Sequence, residues 1–453
     1  MKIRLTTLLF FLTIEFAVKA QLTEPTEIWD SIKENATPIV APEFAANFGS
    51  PYRMQVSAYG WEDGLQMSAD GLNLYTLYAP ADLLSWFTYI NTNIALPICE
   101  TLGNTEFIRP YAETFGMDMA FNFFGCDSGI NLDILYAHRD NINDEFENWI
   151  LSDIARPGTI EGGPFPVQST TNANNVDHFL FTGSGDIWMI NYTSVNPSDI
   201  ESAMLLPEPI NSSTGEFIAD NPVMRRFNDS DTLLLVYEKY VIGAERDFMY
   251  TLSFDDGETW DEPIVMTSIT AAAGHIEHPQ LHENTEGSWL YYSRNYDIYR
   301  MKQSIPNNWD SWVDEELIIS KGNALVIGEP SIAKNGDIAF LLGYENTGNL
   351  DDRFDLDPWY VRNLFPDNIT SQHKNTNLTC VPNPATNYIT INFDTNIEPT
   401  SLSIFSIEGQ LCLLISNPNN YQKIDVNNLH PGLYVLEIIN AFGAKGNTHF
   451  IIN

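Results

Sequence analysis

Between Gly49 and about Pro366 the chain alternates short apolar and aromatic runs with Gly, Asp and Asn. No stretch there carries a long apolar stripe at helical spacing. Runs of this length, bounded by turn residues, predict strands. One plan recurs: a polar dipeptide, a short strand, a Gly/Asp/Asn turn, then a strand of alternating aromatics. It is seen in "EDGLQMSADGLNLYTLYAP" from Glu62, "DHFLFTGSGDIWMINYT" from Asp177, "DNPVMRRFNDSDTLLLVYEKY" from Asp220, "EHPQLHENTEGSWLYYSRNYDIYRMKQ" from Glu277 and "GEPSIAKNGDIAFLLGYEN" from Gly328. A sixth, weaker copy is "DMAFNFFGCDSGINLDILYAHRD" from Asp118.

The copies start 56, 59, 43, 57 and 51 residues apart. Four strands and their loops take roughly 40–50 residues in a propeller blade. The pattern therefore predicts an all-β fold: a six-bladed β-propeller over residues 49–366, or a five-bladed one if the Asp118 copy is not a blade. Ser68-Ala69-Asp70-Gly71 with Leu74-Tyr75, and Trp289-Leu290-Tyr291 with Asp297-Ile298-Tyr299, resemble TolB-type propeller repeats. That resemblance implies a fold and leaves function open.

Innermost strands line a propeller's channel, and alternation turns one residue of each starting dipeptide toward it. Two polar rings follow. One is Glu62, Asp118, Asp177, Asp220 and Glu277; the other is Asp63, His178, Asn221, His278 and Glu329. Carboxylates mixed with imidazoles suit acid–base work, so Asp63, His178, His278 and Glu329 are the catalytic candidates. As a binding mouth, Glu62, Asp63, Asp177, His178, Asn221, Glu277, His278 and Glu329 would hold a sugar or a cation. Blade-to-blade hydrogen bonding is the structural alternative for the same residues. Trp61, Trp86, Trp188 and Trp359 are candidates to stack on a sugar face, or core.

Other motifs point less directly to chemistry. "SFDDGETW", Ser253 to Trp260, has the Ser-x-Asp-x-Gly-x-Thr-Trp pattern of an Asp-box, best known from sialidases. Its Asp and Gly suit a tight turn, so a folding role in an outer hairpin is expected. A sialidase would also gather arginines on the sugar carboxylate. Arg53, Arg225, Arg226, Arg246 and Arg294 are present without a recognisable triad. His275, His278 and His282 would converge on zinc only on a helix, and Pro279 places them in a strand. Asp351, Asp352, Asp355 and Asp357 are the candidates for calcium, on an acidic loop without EF-hand spacing.

The ends fix the destination. Lys2 and Arg4, an apolar run from Leu8 to Leu12 and Val18-Lys19-Ala20 form a signal peptide over residues 1–20, cut before Gln21. Glu15 breaks its apolar run, so it is not read as a membrane span of about 20 residues. Residues 21–48 follow as an N-terminal segment and 367–376 as a linker. At the C-terminus Pro382-Asn383-Pro384, Gly409, the Asp425–Leu429 strand and Gly432-Leu433-Tyr434 resemble the type A C-terminal sorting domain of the Bacteroidota type IX secretion system. The resemblance covers 377–453 as a small β-sandwich. It implies recognition by that machinery and no catalysis, although the chain ends "FIIN" where the family usually carries basic residues.

With 22 basic and 60 acidic residues the formal charge is −38, which argues against nucleic acid and anionic membranes as partners. Cys99 with Cys126 and Cys380 with Cys412 are either disulfides or free thiols. The expectation is a secreted or cell-surface propeller binding a glycan or a surface partner at its mouth. The alternative is a carbohydrate-active enzyme (glycoside hydrolase, sialidase-like or polysaccharide lyase) using the same residues.

Overall fold

The computed structural model describes residues 26–80, 112–117, 132–154, 161–364 and 378–452, apart from short stretches inside the last two ranges. The signal segment, Cys99, Cys126, Trp86, Asp118, Asp351 and Asp352 lie outside the described residues. The chain divides into two compact units, 1–367 and 368–453.

Among its described residues the first unit is all-β apart from the helix Thr26–Glu34, a helical turn at 112–115 and two short 3-10 turns. Its strands form antiparallel meanders. The first sheet runs through Trp61–Met67, Asn73–Ala79, Asp133–His138 and Ile150–Leu151. The second comprises Glu161–Gln168, Asn175–Gly183, Asp186–Ser194 and Met204–Leu205, and the third Ile218–Arg226, Leu233–Tyr240, Asp247–Ser253 and Ile264–Val265. The fourth comprises Ile276–Asn284, Gly287–Arg294, Asp297–Gln303 and Trp312–Ser320; the fifth, Val326–Ile332, Ile338–Glu345 and Phe354–Val361. A single parallel bridge, Leu356 to Trp61, ties the fifth sheet to the first. The opening strand of each sheet packs beside that of the next, and the fifth returns to Trp61–Met67.

Two expected repeats are placed differently. Within the sixth copy, Asp133–His138 pairs with Asn73–Ala79 as the third strand of the first sheet. The copy from Asp177 supplies the second and third strands of its sheet, and the opening strand is Glu161–Gln168 upstream. Its start carries Gly162-Gly163, which offered no polar dipeptide to align.

Local chemistry explains the hairpins. Ser184-Gly185 and Asn295-Tyr296 both have positive φ, as a two-residue type I′ turn requires. Asp255 of the Ser253–Trp260 turn accepts from the Thr259 amide (2.8 Å) and hydroxyl (2.6 Å), while Ser253 Oγ accepts from the Gly257 amide (2.8 Å). Those bonds hold the Asp255 carboxyl below its ordinary pKa.

Apolar faces meet between sheets. Tyr75 of the first packs edge-on against Phe179 of the second (5.4 Å), and Phe248 of the third against Tyr292 of the fourth (6.1 Å). Phe248→Ala should cost about 3–5 kcal/mol, from lost transfer energy plus the cavity left behind; urea unfolding of the full chain reads it.

The N-terminal segment is sewn into this unit. Ile39–Val40 extends the fourth sheet on Trp312–Ser320, and Tyr52–Arg53 pairs with Phe354–Val361. Helix residue Trp29 is buried, and Lys33 reaches Asp355 (2.5 Å) and Asp357 (2.9 Å).

The second unit has a three-stranded sheet (Thr379–Val381, Tyr388–Asn392, Lys423–Asp425) and a four-stranded one (Leu411–Ser416, Pro399–Ser406, Gly432–Asn440, Lys445–Ile452). Ile389, Leu402, Leu436 and Phe450 share its core. Cys380 is a free thiol, not bridged to Cys412, and burial pushes it up to about 11.

Candidate functional site

Every opening strand of the first unit breaks its ladder at the same place. The register jumps between Asp63 and Gln66, Gly162 and Phe165, Asp220 and Val223, Glu277 and Gln280, and Gly328 and Ser331. The residue after the first of each pair is left-handed: Gly64 (φ +61°), Gly163 (+50°), Asn221 (+47°), His278 (+57°) and Glu329 (+57°). Pro164, Pro222, Pro279 and Pro330 follow four of them, at bulges where no ladder amide is needed. Glycine takes this conformation freely, whereas a side chain there costs about 1–2 kcal/mol. Asn221, His278 and Glu329 therefore need compensating contacts, and such strain concentrates at functional sites.

The five bulges converge on one cavity lined by Gly64, Gly163, Asn221, His278 and Glu329, with Pro279 among its walls. Its volume is ≈ 20 Å³, room for about one water. A sugar ring does not fit inside; it would have to sit across the mouth.

Three candidate residues meet beside this cavity, two of which, His278 and Glu329, line it. Ligand atoms of Asp63, His278 and Glu329 all lie within 4.8 Å of one another. His278 Nε2 is 3.3 Å from Glu329 Oε1, and Glu329 Oε2 accepts from the Leu65 amide (2.7 Å). Asp63 accepts from the Gly64 amide (3.0 Å) and from Trp61 Nε1 (3.1 Å). Burial first, then the neighbouring Asp63 carboxylate, raises Glu329 well above the usual carboxylate range.

Beside them lies a charged arc that joins the ring candidates Asp220 and Glu277 and the arginine Arg246 to Glu238 and Tyr240, which carried no sequence motif. Buried Glu238 accepts from the His278 amide (2.5 Å), from Asn221 Nδ2 (3.0 Å) and from Arg246. Arg246 also pairs with Glu277 (2.8 Å), which His275 Nε2 approaches at 2.9 Å. Burial opposes the Glu277 charge, but His275, His278 and Arg246 outweigh it and bring its pKa to about 2. Asp220 accepts from Tyr240 (3.1 Å), over whose ring Arg246 lies.

Other candidates fall elsewhere. Glu62 points away from the mouth toward the buried Lys33 group and accepts from the Ala58 amide (2.8 Å). Asp355 and Asp357, expected in an acidic loop, lie buried in the Phe354–Val361 strand and are taken up by Lys33. His178 sits at the opposite end of the strands, between Asn191 (2.7 Å) and Asp256 (3.0 Å), with Arg226 on the same nitrogen. Asp177 pairs with Arg226 (3.3 Å). This group latches the second sheet to the Ser253–Trp260 turn of the third.

The arginines are divided rather than gathered. Arg53 meets Asp357, Arg225 meets Glu283, and Arg294 meets Glu315. His275, His278 and His282 likewise have separate neighbours, Glu277, Glu329 and Tyr291. Trp61 and Trp359 are core residues, and Trp188 stacks on Phe181.

A signal that finds the opening strands does exist: Pro164, Pro222, Pro279 and Pro330 recur 58, 57 and 51 residues apart, each after its left-handed residue.

Residues 380–453 match the secretion system C-terminal sorting domain family. The protein is accordingly a type IX export substrate, secreted or held at the cell surface, and its C-terminal domain engages that machinery. No helix among the described residues is long and apolar enough to cross a membrane. No curated protein sequence matches the chain. Among solved structures it is similar to an exo-β-1,3-galactanase from Phanerochaete chrysosporium, with 10% identity, 88% of this chain and 96% of that one covered, and TM-score 0.37. Similarity to the α-L-arabinofuranosidase catalytic domain of Coprinopsis cinerea has 7% identity, 73% and 96% coverage, and TM-score 0.38. For a Dyadobacter fermentans protein of unknown function the values are 8%, 70% and 77%, and 0.33.

Proposed function

We propose that residues 26–364 form a five-bladed β-propeller that serves as an exported binding module, its ligand seated on the mouth over Asp63, Asn221, Glu277, His278 and Glu329. The carrying observation is the convergence of five left-handed bulges on one cavity, with Gln66, Asn221, His278 and Glu329 as its polar walls. Donors and acceptors of both kinds suit hydroxyl-rich ligands, and oligosaccharides are the class favoured. Concentrated carboxylates and the net charge of −38 disfavour acidic sugars, so the ligand is neutral.

The enzymatic alternative fares less well with this cluster. Two-carboxylate glycoside hydrolysis places its carboxyl groups about 5–5.5 Å or about 6.5–9.5 Å apart. Asp63 and Glu329 are instead hydrogen-bonded to each other, which leaves no room for a glycosidic bond between them.

The test is a screen of the secreted protein against neutral and acidic soluble oligosaccharides, scoring affinity and product release together. The expected outcome is binding of a neutral oligosaccharide without turnover, weakened at least tenfold by His278→Asn. Asparagine tolerates the left-handed backbone, so that variant removes the imidazole without imposing a new strain. Binding indifferent to His278→Asn would refute the mouth assignment, and product release abolished by Glu329→Gln would establish the enzyme instead.

A further inference from the structure

We propose that Asp63, His278 and Glu329 hold one divalent transition-metal ion of the zinc or manganese class, and that this ion is the floor of the binding mouth. The inference rests on the mouth reading and adds the chemistry of its deepest point.

The donor set is the first argument. One imidazole nitrogen and two carboxylates come within 4.8 Å of one another, drawn from the first, fourth and fifth sheets. Calcium takes six to eight oxygen ligands, whereas one nitrogen with two carboxylates suits zinc, manganese or iron. Three protein ligands leave a position open toward the mouth for water or a ligand hydroxyl.

A second observation is independent of the carboxylates. His278 Nδ1 is buried and has no hydrogen-bond partner, although a buried imidazole nitrogen normally finds one. The cavity that His278 and Glu329 line next to Asp63's neighbour Gly64, ≈ 20 Å³, takes an ion or a water and nothing larger. A Cβ on Gly328 would make ordinary contact with that nitrogen (3.8 Å) but press on Ser293 Oγ (3.2 Å), the atom that accepts from the Glu329 amide (3.0 Å).

The ligands are also held from behind. The Gly64 amide and Trp61 Nε1 fix Asp63, the Leu65 amide fixes Glu329, and Glu238 anchors the His278 amide. Such outer contacts orient metal ligands before the ion arrives.

The experiment uses the full secreted chain, stripped by chelator dialysis and titrated with Co2+ in excess Mg2+, which occupies the acidic surface. The expected result is one Co2+ per chain, with a visible absorption band that Zn2+ abolishes. His278→Asn and Glu329→Gln should each weaken binding at least tenfold, about 1.4 kcal/mol. Gly328→Ala keeps all three ligands and should weaken it too, with thermal melts confirming that each variant is folded. No Co2+ surviving the Mg2+ competition, or equal affinity in folded variants, overturns the proposal. The two readings fail separately: oligosaccharide binding by stripped protein that takes up no Co2+ removes the metal, whereas Co2+ uptake without oligosaccharide binding removes the ligand reading.

Discussion

Replacing Lys33 with alanine should lower the stability of the first unit by about 3–5 kcal/mol, the usual cost of breaking a buried ion pair from one side. The Lys33 ammonium is 2% exposed and contacts Asp355 and Asp357, which are 4% and 0% exposed. Glu62 is buried beside them, with Oε2 lacking a hydrogen-bond partner. Burial first, then Asp357 and Asp355, raises Glu62 well above its ordinary value, and burial raises Asp355 to about 7 despite Lys33. Without the ammonium these carboxyls face one another with only the partly exposed Arg53 nearby. Helix Thr26–Glu34 would lose its inward anchor, loosening the segment that continues into Ile39–Val40 and Tyr52–Arg53. Urea denaturation of wild type and variant measures the difference.

The same cluster makes a pH prediction whose sign is fixed. Both raised carboxyls retain protons in the fold that the unfolded chain releases. Their contribution is therefore greatest below about pH 4 and is lost as pH rises toward 7 and beyond. Glu62→Gln can keep the bond from the Ala58 amide and has no charge to bury. It should raise the melting temperature more at pH 8 than at pH 5; equal shifts at both values would contradict the assignment.

Arg246→Leu is the second large effect, again about 3–5 kcal/mol. Arg246 pairs with Glu238, whose side chain is 0% exposed, and spans to Glu277 at 2.8 Å. Both pairs raise its pKa against the pull of burial. Leucine fills part of the volume but leaves Glu238 buried with only the Asn221 and His278 contacts. Because Glu238 also holds the His278 amide, ligand affinity should fall along with stability. Arg246→Lys should fall between the two, since an ammonium cannot reach both carboxylates with a planar fork. Paired denaturation and binding measurements on the three proteins check the order.

That Asp63, His278 and Glu329 come together was legible, because polar residues open each repeat. Register was harder to read. Aligning Glu62-Asp63 with Glu277-His278 is one residue off, because the bulge matches Asp63-Gly64 to Glu277-His278. A one-residue slip exchanges the faces of a strand. That is why Glu62 turns toward Lys33 and not toward the mouth. His178 was misplaced because the second sheet opens with Gly162-Gly163, leaving a later strand as the nearest match. The Lys33–Asp357 pairing spans 324 residues and leaves no local pattern. Asp355 and Asp357 looked like a solvated acidic run because alternation with Phe354 and Leu356 was read as loop rather than strand.

The central claim is that separate opening strands meet at one ligand. Hydrogen–deuterium exchange of the full secreted protein, with and without the tightest-binding neutral oligosaccharide of the screen, tests it most directly. Protection should rise together around residues 60–66, 219–224, 275–280 and 327–331, with the Ser253–Trp260 turn and the C-terminal unit unchanged. Protection confined to the turn or the C-terminal unit, or no change at these four segments, would contradict it.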